Sequence, residues 1–214
     1  MKAVIFAGGD IGNYKKVRKH LSGSDFIICA DSGAEHAFNM GVIPDLLVGD
    51  MDSISPASME KVKQLGIKNY GFPSEKDYTD TELALDIALK QGASEAILLG
   101  GLGDRPDHSL ANIFLMVSFK KLGLKLKLAD ENWEMFLVDR PVEVCGEKGD
   151  ILSLIPITPE VTGVTTEGLY YPLKDETLFM GLARGISNVF LGNTAKVGIK
   201  EGMLLAVKWT GDEI

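Results

Sequence analysis

Only two of the 214 residues are cysteine, two are tryptophan, and aromatic residues make up 7% of the chain. Cys29 and Cys145 have no CxxC spacing, so neither a disulfide framework nor a cysteine-rich zinc site is expected. Each falls in a short apolar run, 26–30 and 142–145, and both read as buried thiols of a reducing compartment. Basic residues are also scarce: Lys and Arg total 22 against 30 Asp and Glu, a formal net charge of −8. That balance runs against the basic footprint of a nucleic-acid or anionic-membrane binder and suits a cationic small molecule. No apolar run reaches the length of a membrane span. The N-terminus passes from Met1-Lys2 straight into the strand-like run Ala3–Ala7 without a signal-peptide core, so the cytoplasm is the expected location. The P-loop pattern GxxxxGK[ST] is missing, which disfavours that class of nucleotide enzyme.

What is present is an ordinary globular composition, 45% hydrophobic and 24% charged, with no disorder implied. Strand-like runs at 2–7, 26–30, 46–48, 67–72, 96–99 and 124–128 alternate with helix-like segments, which predicts an α/β fold with a mostly parallel wound sheet. The clearest helix starts at Thr79, where Thr79 and Glu82 have capping-box spacing, and stops at Gly92. A second spans about Ser109 to Leu122 and ends at Gly123. Beyond Asp130 the texture changes to short β-like runs at 134–138, 142–145, 151–155, 177–179 and 204–209, separated by Gly, Pro, Asp and Glu. The second half therefore reads as a smaller all-β sandwich or barrel, and the boundary is placed between residues 1–130 and 131–214. There is no internal repeat or low-complexity tract.

Three acidic clusters sit at the ends of apolar runs: Gly49-Asp50-Met51-Asp52-Ser53, Asp77-Tyr78-Thr79-Asp80, and Arg105-Pro106-Asp107-His108. A parallel sheet gathers such residues at the carboxyl ends of its strands, where α/β proteins bind ligands. Asp50 and Asp52 are two apart, so in an extended segment both face one way and can hold a hard cation; magnesium, which takes one or two carboxylates plus phosphate oxygens, suits them best. An acidic turn after a strand explains a lone DxD equally well. Asp77 and Asp80 begin a helix, where acidic residues also favour the positive end of the dipole, and Thr79 has a full explanation as N-cap. The same helix start offers free N–H groups to a phosphate. The run Gly100-Gly101-Leu102-Gly103-Asp104 before Arg105 lets backbone approach a ligand closely. Arg105 can neutralise phosphate charge, Asp107 can bind metal or orient Arg105, and His108 can cap the helix or touch substrate. Gly8-Gly9-Asp10 and Asp31-Ser32-Gly33 repeat the placement after two earlier strands.

In their order, Asp31-Ser32-Gly33-Ala34, Gly49-Asp50-Met51-Asp52-Ser53, Lys76-Asp77-Tyr78-Thr79-Asp80-Thr81-Glu82, Asp104-Arg105-Pro106-Asp107-His108 and Ser187-Asn188 resemble the motifs of bacterial thiamine pyrophosphokinases. Those read Asp-Gly-Gly-Ala, Gly-Asp-Phe-Asp-Ser, Lys-Asp-x-Thr-Asp-x-Glu, Gly-Arg-x-Asp-His and a late Ser-Asn. Departures are Ser32 for a glycine, Met51 for an aromatic and Asp104 for a glycine. The resemblance implies an ATP-binding α/β domain over 1–130, a thiamine-binding β-sandwich over 131–214, and a homodimer with thiamine near the subunit interface. It also implies Mg2+ on Asp50, Asp52 and Asp80, with Asp77 and Asp107 completing an acidic shell and Arg105 stabilising developing charge. Asp31, Lys76, Thr79, Arg105 and His108 would face the nucleotide, and Ser187 and Asn188 would contact thiamine. Tyr170, Tyr171, Trp133 and Trp209 are candidates for stacking on thiamine, although packing within the β-domain or an interface accounts for most of them. The implied reaction is diphosphoryl transfer from ATP to the thiamine hydroxyl, releasing AMP. Two rivals remain open from the residues alone. Another magnesium-dependent phosphotransferase or phosphoesterase would use the same carboxylates, and a noncatalytic binding protein would keep the pockets.

Overall fold

The computed structural model describes residues 1–72 and 77–210. The chain divides into two compact units, Met1–Glu131 and Asn132–Ile214.

The first unit alternates strands and helices: β1 (Lys2–Phe6), α1 (Tyr14–Val17), β2 (Phe26–Ala30), α2 (Gly33–Asn39), β3 (Leu46–Gly49), α3 (Pro56–Gln64), β4 (Lys68–Gly71), α4 (Asp80–Lys90), β5 (Glu95–Leu99), α5 (Pro106–Lys121) and β6 (Lys125–Ala129). Every strand pairing here is parallel, and the order is β6-β5-β1-β2-β3-β4. Central strands are buried on both faces, as parallel strands between helix layers must be; Ala3–Phe6 and Leu46–Val48 are almost wholly inaccessible. The order reverses at β1, which has β2 on one side and β5 on the other, so a crevice opens at the carboxyl ends of these strands.

α4 forms where the capping spacing predicts. Thr79 Oγ1 accepts the Glu82 N–H at 3.2 Å, Asp80 and Glu82 lie in the first turn, and Ala84, Leu85 and Ala88 face the core. α5 starts three residues earlier than its expected start at Ser109, because Pro106 occupies the first helical turn with φ already suited to it. Asp107 and His108 are thus on a helix rather than in the loop before it.

The second unit contains β7 (Trp133–Val138), β8 (Val142–Cys145), β9 (Ile151–Pro156), β10 (Glu160–Glu167), β11 (Glu176–Phe179), β12 (Asn188–Val189), β13 (Thr194–Gly198) and β14 (Leu204–Trp209). They form two antiparallel layers, β12-β9-β14-β7 and β11-β10-β13-β8. Leu152, Leu154, Leu204 and Ala206 from one layer meet Val144, Val161, Val164, Leu178 and Val197 from the other. This is the antiparallel sandwich expected from the second half of the chain.

β10, β12 and β13 have no counterpart among the strand-like runs, and β12 is only two residues long. β10 carries Gly163 at φ +66, and its register shifts between Val161 and Val164, so a bulge interrupts the alternation a strand otherwise shows. β13 has only Ala195 and Val197 on its core face, too little apolar surface to stand out between Asn193 and Gly198. Cys29 is buried as expected, and burial pushes its thiol pKa up. Cys145 is exposed, contrary to expectation: strand alternation gives Val144 the core face and turns Cys145 outward with Glu143.

Candidate functional site

Successive parallel strands place Asp31 and the Asp50–Asp52 turn side by side, because β2 pairs with β3 and both chains emerge at the same edge. The Asp31 N–H donates to Val48 O at 2.8 Å, which pins the two strand ends together. Asp31 and Met51 both adopt left-handed backbone, φ +48 and +67, a conformation that L residues hold only where surrounding structure imposes it. Met51, standing where the family pattern has an aromatic, packs against the apolar core of this unit. One oxygen each of Asp31, Asp50 and Asp52 lies within 4.8 Å of the others. Gly49, at φ +144, leaves space that a side chain would fill: an added Cβ would stand 3.2 Å from both the Asp31 Cβ and Asp80 Oδ1. Asp80, at the start of α4, therefore borders the same group.

The electrostatics of this group are unfavourable without a cation. Asp31 Oδ1 is buried and has no hydrogen-bond partner among the described residues. Burial, foremost, pushes the Asp31 pKa up; the charges of Asp80 and Asp52 add to this, while the neighbouring Ser53 hydroxyl and Ser32 N–H oppose it. A buried, unpartnered carboxylate oxygen facing other carboxylates fits a hard divalent cation held through oxygen. Within the turn, the Asp52 N–H donates to Asp50 Oδ1 at 3.3 Å and the Ser53 hydroxyl to Asp52 Oδ1 at 2.9 Å.

The second part of the site is a pair of interlocked glycine turns after β1 and β5. The Gly9 and Asp10 N–H groups donate to Gly100 O and Leu102 O, both at 2.9 Å. A Cβ on Gly9 would strike the Leu102 carbonyl, and one on Gly100, at φ +64, the Ala7 carbonyl, so only glycine permits this contact. Buried Asn112 of α5 fixes the second turn by donating to Gly101 O at 2.7 Å. His36 of α2 bonds Gly9 O through Nε2 at 2.7 Å and the Tyr14 hydroxyl through Nδ1 at 2.9 Å. Since a carbonyl only accepts, Nε2 carries the proton and Nδ1 accepts from Tyr14.

Arg105 and Asp107 form a two-pronged pair, Nε to Oδ1 at 3.0 Å and a terminal nitrogen to Oδ2 at 2.6 Å, with both side chains exposed. The Arg105 hydrogen bond holds the Asp107 carboxyl down at about 2 and raises Arg105 in turn. Of the two roles open to Asp107, orienting Arg105 is the one seen. Asp104 and His108 are exposed beside them. Asp77 is exposed and lies outside the three-carboxylate group, and Thr79 uses its hydroxyl oxygen as the helix cap. Lys76 lies outside the described residues.

In the second unit, Asn188 is 4% exposed, and its side chain holds the neighbouring loop: Oδ1 accepts from Tyr171 N at 2.9 Å and Val189 N at 3.0 Å, and Nδ2 donates to Tyr171 O at 2.7 Å. Ser187 is exposed with φ +56, its N–H donating to Ser153 Oγ at 3.0 Å. Asn188 thus holds the loop that carries Tyr170 and Tyr171, 62% and 58% exposed and packed edge-to-face at 4.8 Å. Trp133 and Trp209 instead pair across β7 and β14 and are partly buried. The residues that motif spacing alone did not single out are Glu35, His36 and Asn112, each a lone polar residue on a helix whose role becomes visible only through its partner.

Known proteins match both units. Residues 17–128 match the model of the thiamin pyrophosphokinase catalytic domain, and residues 138–204 that of the thiamin pyrophosphokinase vitamin B1 binding domain. The thiamine pyrophosphokinase of Bacillus subtilis (strain 168) is 28% identical, covering 98% of this chain and 100% of its own. The crystal structure of thiamine pyrophosphokinase from Bacillus subtilis superimposes with a TM-score of 0.90 at 26% identity, covering 99% of this chain and 100% of the other. That of the Geobacillus thermodenitrificans enzyme gives 0.84 at 25% identity, covering 100% and 99%. With the catalytic and the vitamin-binding regions matched in order, the chain belongs to the thiamine pyrophosphokinase family of ATP-dependent diphosphotransferases.

Proposed function

We propose that the first unit binds ATP with Mg2+ on Asp31, Asp50, Asp52 and Asp80, that the sandwich unit binds thiamine, and that the products are thiamine diphosphate and AMP. The observation that carries this reading is the carboxylate group with its buried, unpartnered Asp31 oxygen. Asp31 joins the metal set of Asp50, Asp52 and Asp80 because one of its oxygens lies within 4.8 Å of one each from Asp50 and Asp52. When bound, the cation supplies charge neutralisation for the polyphosphate. The thiamine hydroxyl oxygen forms a bond to the β-phosphorus, the bond from that phosphorus to the oxygen bridging to the α-phosphorus breaks, and the hydroxyl proton is released. The glycine turns let backbone close on the nucleotide, and Arg105, aimed by Asp107, stabilises charge on the transferred group. Asp77, Thr79, Lys76 and His108 are assigned to the surrounding nucleotide shell.

Asn188 acts on thiamine by holding the loop that presents Tyr170 and Tyr171, whose faces suit the thiazolium cation, and exposed Ser187 contacts thiamine directly. The exposed Phe179, Met180, Leu182, Ile186 and Leu191 of the same unit support a homodimer, since burying such apolar side chains favours association. A cytoplasmic location agrees with an exposed free thiol at Cys145. No helix among the described residues is long and apolar enough to cross a membrane. Incubating the protein with thiamine, ATP and magnesium and separating the products tests the reaction. Equimolar AMP and thiamine diphosphate are expected; ADP or free phosphate would move the chain to another phosphotransferase or a phosphoesterase.

A further inference from the structure

The turn carrying Asp50 and Asp52 is anchored at its entry by the pairing of β3 with β2 and β4, but its exit needs a separate restraint. Glu35, on α2, supplies one. Its Oε1 accepts the Ser55 N–H at 3.1 Å and its Oε2 accepts the Ser58 hydroxyl at 2.7 Å. Ser55 is the residue where the turn ends and α3 begins, its own hydroxyl accepting the Ser58 N–H at 3.2 Å. Ser58 is 3% exposed, so a hydroxyl there requires a partner. Burial alone would raise the Glu35 pKa; the hydrogen bonds from Ser55 and Ser58, with the charge of Lys61, carry it below the usual range.

Glu35 stands four residues after Asp31 on the same segment. That segment therefore holds the turn from both ends, at its entry through the Asp31 N–H bond to Val48 O and at its exit through Glu35. The two contacts fix the distance between Asp31 and the Asp50–Asp52 pair. We infer that Glu35 is a positioning residue for cation binding, holding the turn so that Asp50 and Asp52 stay in register with Asp31. This rests on the metal assignment proposed above. A carboxylate that merely capped α3 would contribute to stability and leave cation affinity alone, whereas supports of metal ligands typically change affinity by about 10- to 100-fold.

The test measures Mn2+ binding directly, by electron paramagnetic resonance of the whole protein without nucleotide, for the wild type, Glu35→Gln, Glu35→Ala and Ser58→Ala. Thermal melts are run alongside. Glu35→Ala is expected to weaken Mn2+ binding about tenfold, with Glu35→Gln intermediate because its amide oxygen still accepts one bond. In turnover, the apparent Mg2+ requirement of Glu35→Ala rises while kcat at saturating Mg2+ stays within about twofold of wild type. Should Glu35→Ala fail to fold, Glu35→Gln and Ser58→Ala carry the same expectation at smaller size. Lowered melting temperatures with unchanged Mn2+ affinity would overturn the positioning role alone. A wild-type protein that binds no Mn2+ would overturn the metal assignment and the positioning role with it.

Discussion

The two units expose opposite kinds of surface that folding alone does not call for. The first gathers Asp31, Asp50, Asp52 and Asp80 at one sheet edge, leaves an Asp31 oxygen buried without a partner, and holds Asp31 and Met51 at positive φ. The second carries Tyr170, Tyr171, Leu182, Ile186 and Leu191 on exposed loops above a fully packed core. Each departure has a cost, repulsion and desolvation in one case and apolar exposure in the other. The difference matches the two substrates: a polyphosphate that needs a cation, and a cation with aromatic faces. In the proposed reading, stability is given up where ligands bind, as expected of sites rather than scaffolding.

The contrast breaks hardest at Asp52. Asp52→Asn is expected to lower turnover about a thousandfold with the circular-dichroism spectrum and melting temperature retained; near-normal activity would remove Asp52 from the metal set. Asp31→Asn sharpens the contrast, because removing a charge that burial and its neighbours disfavour should raise the melting temperature of the metal-free protein. The same change should weaken Mn2+ binding at least about tenfold, fewer charged ligands giving weaker sites. A less stable metal-free Asp31→Asn protein would contradict the strain assigned to this carboxylate.

Asp107→Asn frees Arg105 from its two-pronged hold and should cost about tenfold in kcat/KM for ATP, read from initial rates, with thiamine KM unchanged. Tyr171→Ala lies on the other side of the contrast: thiamine KM should rise by about two- to fivefold while ATP KM stays put. A shift in ATP KM instead would deny the second unit its separate task. The smallest effect concerns pH. The Asp107 carboxyl is held at about 2 in the fold, below its unfolded value. Its pairing with Arg105 is therefore complete above the unfolded pKa and lost only as pH falls through about 2. Titration of the Asp107 carboxylate by NMR should accordingly show no change between pH 5 and 9.

Much of the first unit was legible because its central strands β1, β2 and β3 are short and apolar and alternate with helices, and because the Asp50–Asp52 pair follows β3 directly. Thr79 as cap and the carboxylate turn were readable from spacing alone. Asp31 was visible as a residue after a strand, but its place among the carboxylates depends on β2 lying beside β3. Glu35 and His36 left no local mark; their partners are 20 and 27 residues away, and only the folded chain joins them. In the second unit the bulge at Gly163 hid β10, and alternation sent Cys145 outward rather than in. Asn188 read as a substrate contact through its motif, whereas its side-chain bonds hold the loop that carries Tyr171.

The proposed function depends most on a cation held at the edge of β2 and β3. Anomalous diffraction from crystals grown with Mn2+ and an ATP analogue resistant to cleavage between the α- and β-phosphates tests it most directly. A Mn2+ peak bounded by Asp31, Asp50, Asp52 and Asp80, with the analogue's phosphates beside Arg105, is the predicted result. A peak elsewhere, or nucleotide bound with these carboxylates bare, would contradict it.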